Sequence, residues 1–383
     1  MADKINSRTS LNSVDWDFVR ASRGKSIHPY PAKFIPEIPR NLIDIYHPGD
    51  SSIVLDPFCG SGTTLVEANR KGLDAWGIDL NPLACLISRV ATTPLPLSAW
   101  LEKIGKEIIE KAENNLKNGI FTIPRIPRLD HWFQSDVQRA LAVLIEQINE
   151  EEQLPVREAL QVALSSIIVQ VSNQESDTRY AAIQKDISSQ YVFDRFKIGI
   201  SNVARLKSSL CNSSLAGLGK TTVMNRDILA VTAEDLPRNI GLVVTSPPYP
   251  NAYEYWLYHK YRMYWLGMDP LYVREREIGA RPHYFGKNHQ DEHDFERQMS
   301  SCFKLLSQII TLNGKACFII GRSIIHGREI DNVALLQRSA KPHGFVMDDL
   351  IQRNILTSRK TFNLSHGKIN QEHVVVFSRG GGF

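Results

Sequence analysis

The chain is poor in the features that most quickly assign a protein to a class. Its five cysteines (59, 85, 211, 302, 317) are scattered, with no C-x-x-C pair and no His/Cys group at zinc spacing, which argues against a disulfide framework and a structural metal. No uninterrupted run of about 18 apolar residues occurs, so no membrane span is expected. The polar start MADKINSRTSLNSVDWDF is no secretory signal, and the expected compartment is the cytoplasm. No internal repeat or long low-complexity tract is present, and the closing GGGF reads as a frayed end. The formal net charge is only +4, too small for its sum to identify a polyanion partner.

The 383 residues are 43% hydrophobic and 22% charged. That suits one large domain with an insertion, or two domains. The charge is unevenly spread. Residues 1–40 hold seven Lys/Arg against four Asp/Glu and residues 311–383 hold ten against five, whereas residues 95–220 balance at fifteen against fifteen. Basic excess at the two ends is compatible with a nucleic-acid face, and a solvated surface gives the same pattern.

From Ile53 the chain reads IVLDPFCGSGTTLVEANRKGLDAWGIDLNPLA. This parses as a strand over 53–56, a glycine loop, a helix over 63–71, a KG break and a strand over 75–79, a β-α-β unit. Each strand ends in an aspartate, Asp56 and Asp79. After TTPLPL the texture becomes helical, with apolar residues at 101, 104, 108 and 112 and further repeats in VQRALAVLIEQI and VREALQVALSSIIVQV. A helical insertion over 95–220 is predicted, between sheet segments 1–94 and 221–383. Strand texture returns in TTVMNRDILAV, IGLVVTSPPY, GKACFIIGRS and EHVVVFSRG.

The loop CGSGTT lacks the lysine of a Walker loop, and Leu65 stands where a dinucleotide fingerprint has its third glycine. What remains is an acidic turn, two glycines and a helix amino terminus. Such a cradle suits a ligand with a carboxylate and a ribose but no pyrophosphate, and S-adenosylmethionine meets that description. An acidic residue about 20 positions after the glycine turn meets ribose hydroxyls in such folds, a role that Asp79 fits.

DPFCGSGTT, GIDLNP and TSPPY occur in that order, preceded by IHPYPAKFIPEIPRNLI at 27–43. Together they resemble the amino-methyltransferases of bacterial restriction–modification systems, specifically the cytosine-N4 branch. The resemblance implies a class I, Rossmann-like methyltransferase fold: a mostly parallel seven-stranded sheet wound by helices. It also implies S-adenosylmethionine as cofactor and double-stranded DNA with a flipped target base as substrate. A separate restriction endonuclease is the implied functional partner, in a bacterial or archaeal cell, with the enzyme a monomer or homodimer. Residue by residue, Asp56, Gly60 and Gly62 would line the methionyl moiety, with Thr63 at the helix start and Phe58 beside the loop. Asp79, with Asn81 following, would take the ribose hydroxyls, and Asp227 would accept from the adenine amino group, although a strand-end aspartate also caps turns. His28, Lys33 and Phe34 would close over the methionine end, or simply belong to a proline-ordered arm packed on the sheet.

The resemblance makes Ser246, Pro247, Pro248 and Tyr249 the catalytic tetrapeptide. A ring-conjugated exocyclic amine is a poor nucleophile and must be held by acceptors that favour a tetrahedral nitrogen while the sulfonium methyl lies in line. The Ser246 hydroxyl and Pro247 carbonyl can accept its N–H bonds, and Tyr249 offers a face for a flipped base. Ring-carbon methylation of cytosine needs a thiol nucleophile, which in the enzymes of that family follows a proline, and none of the five cysteines does. Serine at 246, rather than Asp or Asn, favours cytosine N4 over adenine N6. The competing RNA guanine-N2 methyltransferases carry similar loops but N/D-P-P-Y-G, where this chain has Pro250.

Residues 251–290 hold ten of the chain's 33 aromatics, six Lys/Arg and four acidic residues. The mix suits phosphate contact and base stacking, and equally an aromatic helix packed on the sheet. Tyr253, Arg274, Arg276 and Arg281 are the DNA-binding candidates. The chain ends soon after its last strand, so target recognition is expected from 95–220, 251–295 or both, with the charge-balanced insertion serving as a clamp or dimer surface. His283, His289, Asp291 and His293 match no metal spacing.

Overall fold

The computed structural model describes residues 11–18, 27–31, 35–49, 51–94, 98–177, 179–211, 219–250, 254–285, 289–325, 327–355 and 371–380. Lys33, Phe34 and Tyr253 lie outside the described residues.

The elements run α1 (Glu37–Tyr46), β1 (Ile53–Asp56), α2 (Thr63–Arg70), β2 (Ala75–Asp79) and α3 (Pro82–Thr92). Five helices with one short hairpin follow: α4 (Ser98–Lys117), α5 (Leu129–Trp132), α6 (Ser135–Asn149), α7 (Leu154–Val171), β3 (Gln174–Ser176), β4 (Arg179–Ala182) and α8 (Ser189–Cys211). The sheet resumes with β5 (Thr221–Asn225) and β6 (Ile240–Thr245), then α9 (Tyr255–Trp265), α10 (Pro270–Arg276), α11 (Arg281–Phe285) and α12 (Glu292–Ile309). The chain closes with β7 (Ile310–Gly321), the hairpin β8 (Ser323–Ile325) and β9 (Arg328–Ile330), α13 (Asn332–Ala340), β10 (Phe345–Asn354) and β11 (Gln371–Arg379).

Seven strands form one sheet in the order β10-β11-β7-β6-β1-β2-β5. All pairings are parallel except those of β11, which runs antiparallel to both β7 and β10. This is the Rossmann-like methyltransferase sheet expected from the sequence. Strand order reverses direction between β1 and β6, where the chain turns from building one half of the sheet to the other. In open α/β sheets that switch is where ligands bind, beyond the carboxyl ends of the strands. Here β1 ends in Asp56 and β6 in Thr245, so topology alone brings DPFCGSG and TSPPY together.

The central strands are apolar on both faces, as parallel strands covered on both sides must be. Leu55, Val243 and Phe318 face a core with α12 and α13, while Val54, Leu242 and Cys317 face one with α1 and α2. A third core joins α4, α6, α7 and α8 to α3 and α9. Helix α7 is long and apolar enough to cross a membrane by length and composition. Eleven of its residues are nevertheless buried against neighbouring helices, which is how the central helix of a bundle packs.

Strand β10 was not among the sequence-predicted strands. Its edge position leaves alternate residues exposed, with Phe345, Ile351 and Arg353 inward, so DDLIQRN reads as polar.

One polar connection ties the bundle to the region after β6. Arg262 on α9 is almost wholly buried and donates from Nε to the Ser165 carbonyl of α7 at 3.0 Å and from Nη1 to the Tyr258 carbonyl at 3.0 Å. Its Nη2 pairs with Asp177. Removing one member of such a set leaves its partners buried without compensation. Arg262→Met should therefore lower unfolding stability by about 2–3 kcal/mol, read from urea denaturation. A change within experimental error would show that the side chain only fills space.

Candidate active site at the switch between β1 and β6

The glycine loop is held from three directions. Gly60 N–H donates to Asp79 Oδ2 at 2.8 Å, Ser88 on α3 donates its hydroxyl to the Gly60 carbonyl at 2.8 Å, and Cys59 N–H donates to the Ile78 carbonyl at 2.9 Å. Gly62 opens α2 in the left-handed region, at φ 82°. A Cβ there would lie 2.8 Å from Ser88 Oγ, so both conformation and space require glycine. The second oxygen of Asp79, Oδ1, accepts from Asn81 N–H at 2.8 Å. Asn81 Oδ1 in turn caps α3 at Leu83 N–H, 2.9 Å, leaving its buried Nδ2 without a partner among the described residues. Asp79 thus braces the loop and the start of α3 while its carboxylate faces the cleft.

Asp56 lies beneath the loop. Its Oδ1 accepts from the Thr245 hydroxyl at 2.6 Å and from Phe58 N–H at 3.1 Å, and its buried Oδ2 has no partner among the described residues. Thr64 at the start of α2 donates to the Val244 carbonyl at 3.1 Å. The glycine loop and the tetrapeptide are therefore cross-linked at their roots. Beyond Thr245, Ser246 and Pro248 line the cleft and Pro247 is buried. Gly279, at φ 76°, presses on this segment: a Cβ would come within 2.8 Å of the Tyr249 carbonyl oxygen. On the other side, a Cβ at Gly321 would meet the Tyr249 hydroxyl at 2.7 Å. Two glycines thus make room for the tetrapeptide's tyrosine.

These elements enclose an open cleft at the carboxyl ends of β1, β2 and β6, where open α/β sheets hold their ligands. Of the expected cofactor residues, Phe58, Gly60, Thr63, Asp79, Asn81 and Asp227 line it. Asp227 also accepts Leu229 N–H at 3.0 Å, so it caps a turn and faces the cleft at once. Asp56 and Gly62 sit behind the lining. His28 is not in the cleft: it is buried against the bundle, its Nε2 bonded with Ser165 Oγ at 2.8 Å. The arm's contribution to the cleft is Tyr30, two residues on, whose ring stacks on Tyr255 and His259 at 5.8 and 4.8 Å. Arg276 lines the rim with its guanidinium 4.1 Å from the Tyr272 ring centre, Arg274 stands over Trp256, and Arg281 lies 5.1 Å from the Phe285 ring.

Glu277, a further lining residue, was not anticipated from the sequence. It is buried in the cleft wall, and its two oxygens accept Tyr255 and Trp256 N–H at 2.8 and 2.9 Å, clamping the amino terminus of α9. Burial pushes its carboxyl up to about 8 against the pull of those two donors, with Asp79 and Glu254 pushing the same way. Inside a charged VRERE run it looked solvated; the apolar IGA that follows was the available signal. Burial likewise raises Asp56 and Asp79 to about 6 against their hydrogen bonds. The Cys59 thiol is buried and pushed well above its usual range, unsuited to serve as a nucleophile.

A DNA methylase family model matches residues 4–89. The type II methyltransferase M.MvaI of Kocuria varians is 27% identical over 275 residues, 66% of this chain and 59% of that protein. M.BsoBI of Geobacillus stearothermophilus is 24% identical over 299 residues, 67% of this chain and 56% of that protein. M.MjaII of Methanocaldococcus jannaschii is 34% identical over 113 residues, 27% of this chain and 21% of that protein. Over these stretches the chain is similar to type II DNA methyltransferases. It spans a little under six tenths of the length of the longer-matching relatives.

The donor set of the cleft fits the S-adenosylmethionine expected from the sequence. Asp79 presents a carboxylate for a diol, the orphaned Asp56 Oδ2 lacks a donor that an ammonium would supply, and Phe58, Leu80 and Ile228 offer apolar walls. Three acids around the cleft, Asp56 and Glu277 buried and Asp79 half-buried, suit a ligand with two positive centres. Asp56 and Asp79 accept bonds best when ionised, and both titrate near 6. Cofactor affinity should therefore fall as pH drops through about 6 and level off above 7, with Asp79→Asn both weakening binding and flattening the profile. Calorimetric titrations across that range check this; affinity independent of pH would leave Asp79 a turn cap alone. Gly279→Ala should leave cofactor affinity intact and cut methyl transfer at least tenfold by displacing Pro248 and Tyr249, a split visible by comparing calorimetry with turnover.

Proposed function

We propose that the chain is a site-specific DNA methyltransferase that carries a methyl group from S-adenosylmethionine to the exocyclic N4 of cytosine. The observation that carries the reading is convergence: Asp79 and Asn81 from one motif and Ser246 and Pro248 from the other line a single cleft, joined beneath by the Asp56–Thr245 hydrogen bond.

When bound, the cofactor would supply a methyl on a cationic sulfur, the sulfur leaving as a neutral thioether as the amine nitrogen bonds to the methyl carbon and sheds a proton to solvent. The protein's work is positioning. Ser246 Oγ and the Pro247 carbonyl accept the two amine N–H groups, directing the nitrogen lone pair at the methyl, and the proline backbone holds these acceptors in advance. Tyr249 stacks on the flipped base, fixed by its packing against Gly279 and Gly321. Asp79 takes the ribose hydroxyls, Asp227 the adenine amino group, and Asp56 the methionyl ammonium. Tyr30 covers the donor where His28 was expected to. Arg274, Arg276 and Arg281 meet DNA phosphates, the role also assigned to Tyr253. The aspartates and asparagine of adenine-N6 enzymes are replaced here by Ser246, which favours cytosine. We further infer action in a bacterial or archaeal cytoplasm beside a cognate restriction endonuclease, as a monomer or homodimer.

Ser246→Ala should lower turnover by about 100-fold or more, as loss of one preorganised partner does elsewhere, with cofactor affinity unchanged. Mass analysis of nucleosides after reaction with labelled cofactor and plasmid DNA should give N4-methylcytosine. N6-methyladenine would move the target to adenine, and label entering tRNA or rRNA but not DNA would overturn the reading.

A further inference from the structure

Cations gather beside the cleft where helices α5, α9 and α10 meet. Lys260 on α9 holds its Nζ 5.9 Å from the Trp256 ring centre and 5.7 Å from that of Tyr261. Arg274 on α10 stands 5.6 Å from the same Trp256 ring. Arg128 precedes α5 in the left-handed region, at φ 57°, a conformation that costs a non-glycine residue energy and is kept where surrounding structure enforces it. The enforcement is visible: the neighbouring Pro127 carbonyl accepts the Tyr261 hydroxyl at 3.3 Å, and Trp132 at the end of α5 packs on Tyr261 and Tyr180 at 5.5 and 4.6 Å. The segment carrying Arg128 is thereby fastened to the helix carrying Lys260.

Among the described residues none of the three cations has a carboxylate partner in an ion pair. Asp269, on the same connection, uses Oδ1 to cap α10 at Leu271 and Tyr272. Elsewhere the bundle compensates its charge: Lys103 and Lys106 on α4 each face a glutamate one turn on. The field at the cluster is strong enough that Lys260 is pushed down from the usual lysine range, first by burial and then by Arg274 and Arg128. Like charges held together without counter-ions destabilise a fold unless an anion completes them.

The position selects the anion. Tyr255, Val273, Arg276 and Glu277 line the cleft, so Trp256 and Arg274 are the next residues along the same helices, and Lys260 lies five residues from Tyr255, about 7.5 Å of helix rise. A strand that delivers one base to Ser246 carries its neighbouring phosphates across this distance. Resting on the proposed DNA methylation, we infer that Arg128, Lys260 and Arg274 form a phosphate clamp for the DNA strand flanking the target base, with Arg128 supplied by the helical bundle. The bundle then contributes directly to substrate binding through Arg128, in line with the clamp role expected as one of its alternatives.

The test compares salt dependence of binding to a labelled mixed-sequence DNA duplex. Arg128→Gly relieves the left-handed strain while removing the charge, and Lys260→Met keeps most of the stem. Each should flatten the plot of log affinity against log salt by about one, and the pair by about two, raising the Kd about tenfold at moderate salt. Lys103→Gln with Lys106→Gln, the same charge change on α4, should leave the slope alone. Calorimetric cofactor affinity unchanged in the double variant shows that the cleft is intact. If the wild type binds duplex and the Arg128→Gly variant keeps the full slope, or the α4 control loses as much, the clamp is overturned while methylation of DNA stands. Failure of the wild type to bind or methylate duplex DNA sinks both, and tighter binding of a matched RNA duplex with the same loss of slope would assign the clamp to RNA.

Discussion

A 2.6 Å hydrogen bond between Thr245 and Asp56 fixes the relation on which the site depends. It joins the carboxyl ends of two adjacent parallel strands, one feeding the glycine loop and the other the SPPY segment. Neighbouring strands stand about 4.8 Å apart, so the sheet sets the spacing between the donor cradle and the acceptor loop before any side chain in the cleft acts. Direct methyl transfer gains most of its rate from alignment, and errors of about an ångström are costly. The Thr64 bond to the Val244 carbonyl and the pressure of Gly279 on Tyr249 reinforce the same alignment from either side.

Charge is sorted around that frame. Asp56 and Glu277 are buried and Asp79 half-buried at or under the cleft, and all three are pushed upward by desolvation. Arg128, Lys260 and Arg274 gather outside it. A buried acid is destabilising when ionised and unpaired, so a cationic ligand seated among the three should stabilise the folded state by mass action. The outer cations have the opposite preference. Two ligands of opposite sign, a sulfonium cofactor and a polyanionic strand, can thus occupy adjoining regions without competing for the same groups.

Much of this was legible from residues alone. The strands at 53–56 and 75–79 and the carboxyl-end positions of Asp56, Asp79 and Ser246 followed from apolar runs ended by acids or prolines, because local pattern and sheet geometry agree there. What the sequence hid depends on distance along the chain. Glu277 is buried only because α10 returns its end to the start of α9, and no periodicity in VREREIG announces that. His28 and Tyr30 are both polar-aromatic residues of one proline-rich arm; which of them meets the cleft is decided by Ser165, 137 positions away. The balanced charge of 95–220 averaged over Arg128, whose neighbours in space come from α9 and α10. The edge strand β10 was missed because one of its faces meets solvent.

Helix α9 is where these long-range dependencies meet. Its amino terminus is clamped by Glu277, its middle is tied to α7 through Arg262 and Ser165, and Lys260 stands over its buried Trp256. It also follows directly from the SPPY segment. A strand settling on the cations would therefore press on a helix whose start lines the same cleft as Ser246, the proposed acceptor for the target amine. The bundle shares its core with this helix, so it cannot act as a loosely appended clamp. Its packing on α9, whose first residue lines the cleft, supports the cleft from behind although none of the bundle's own described residues lines it.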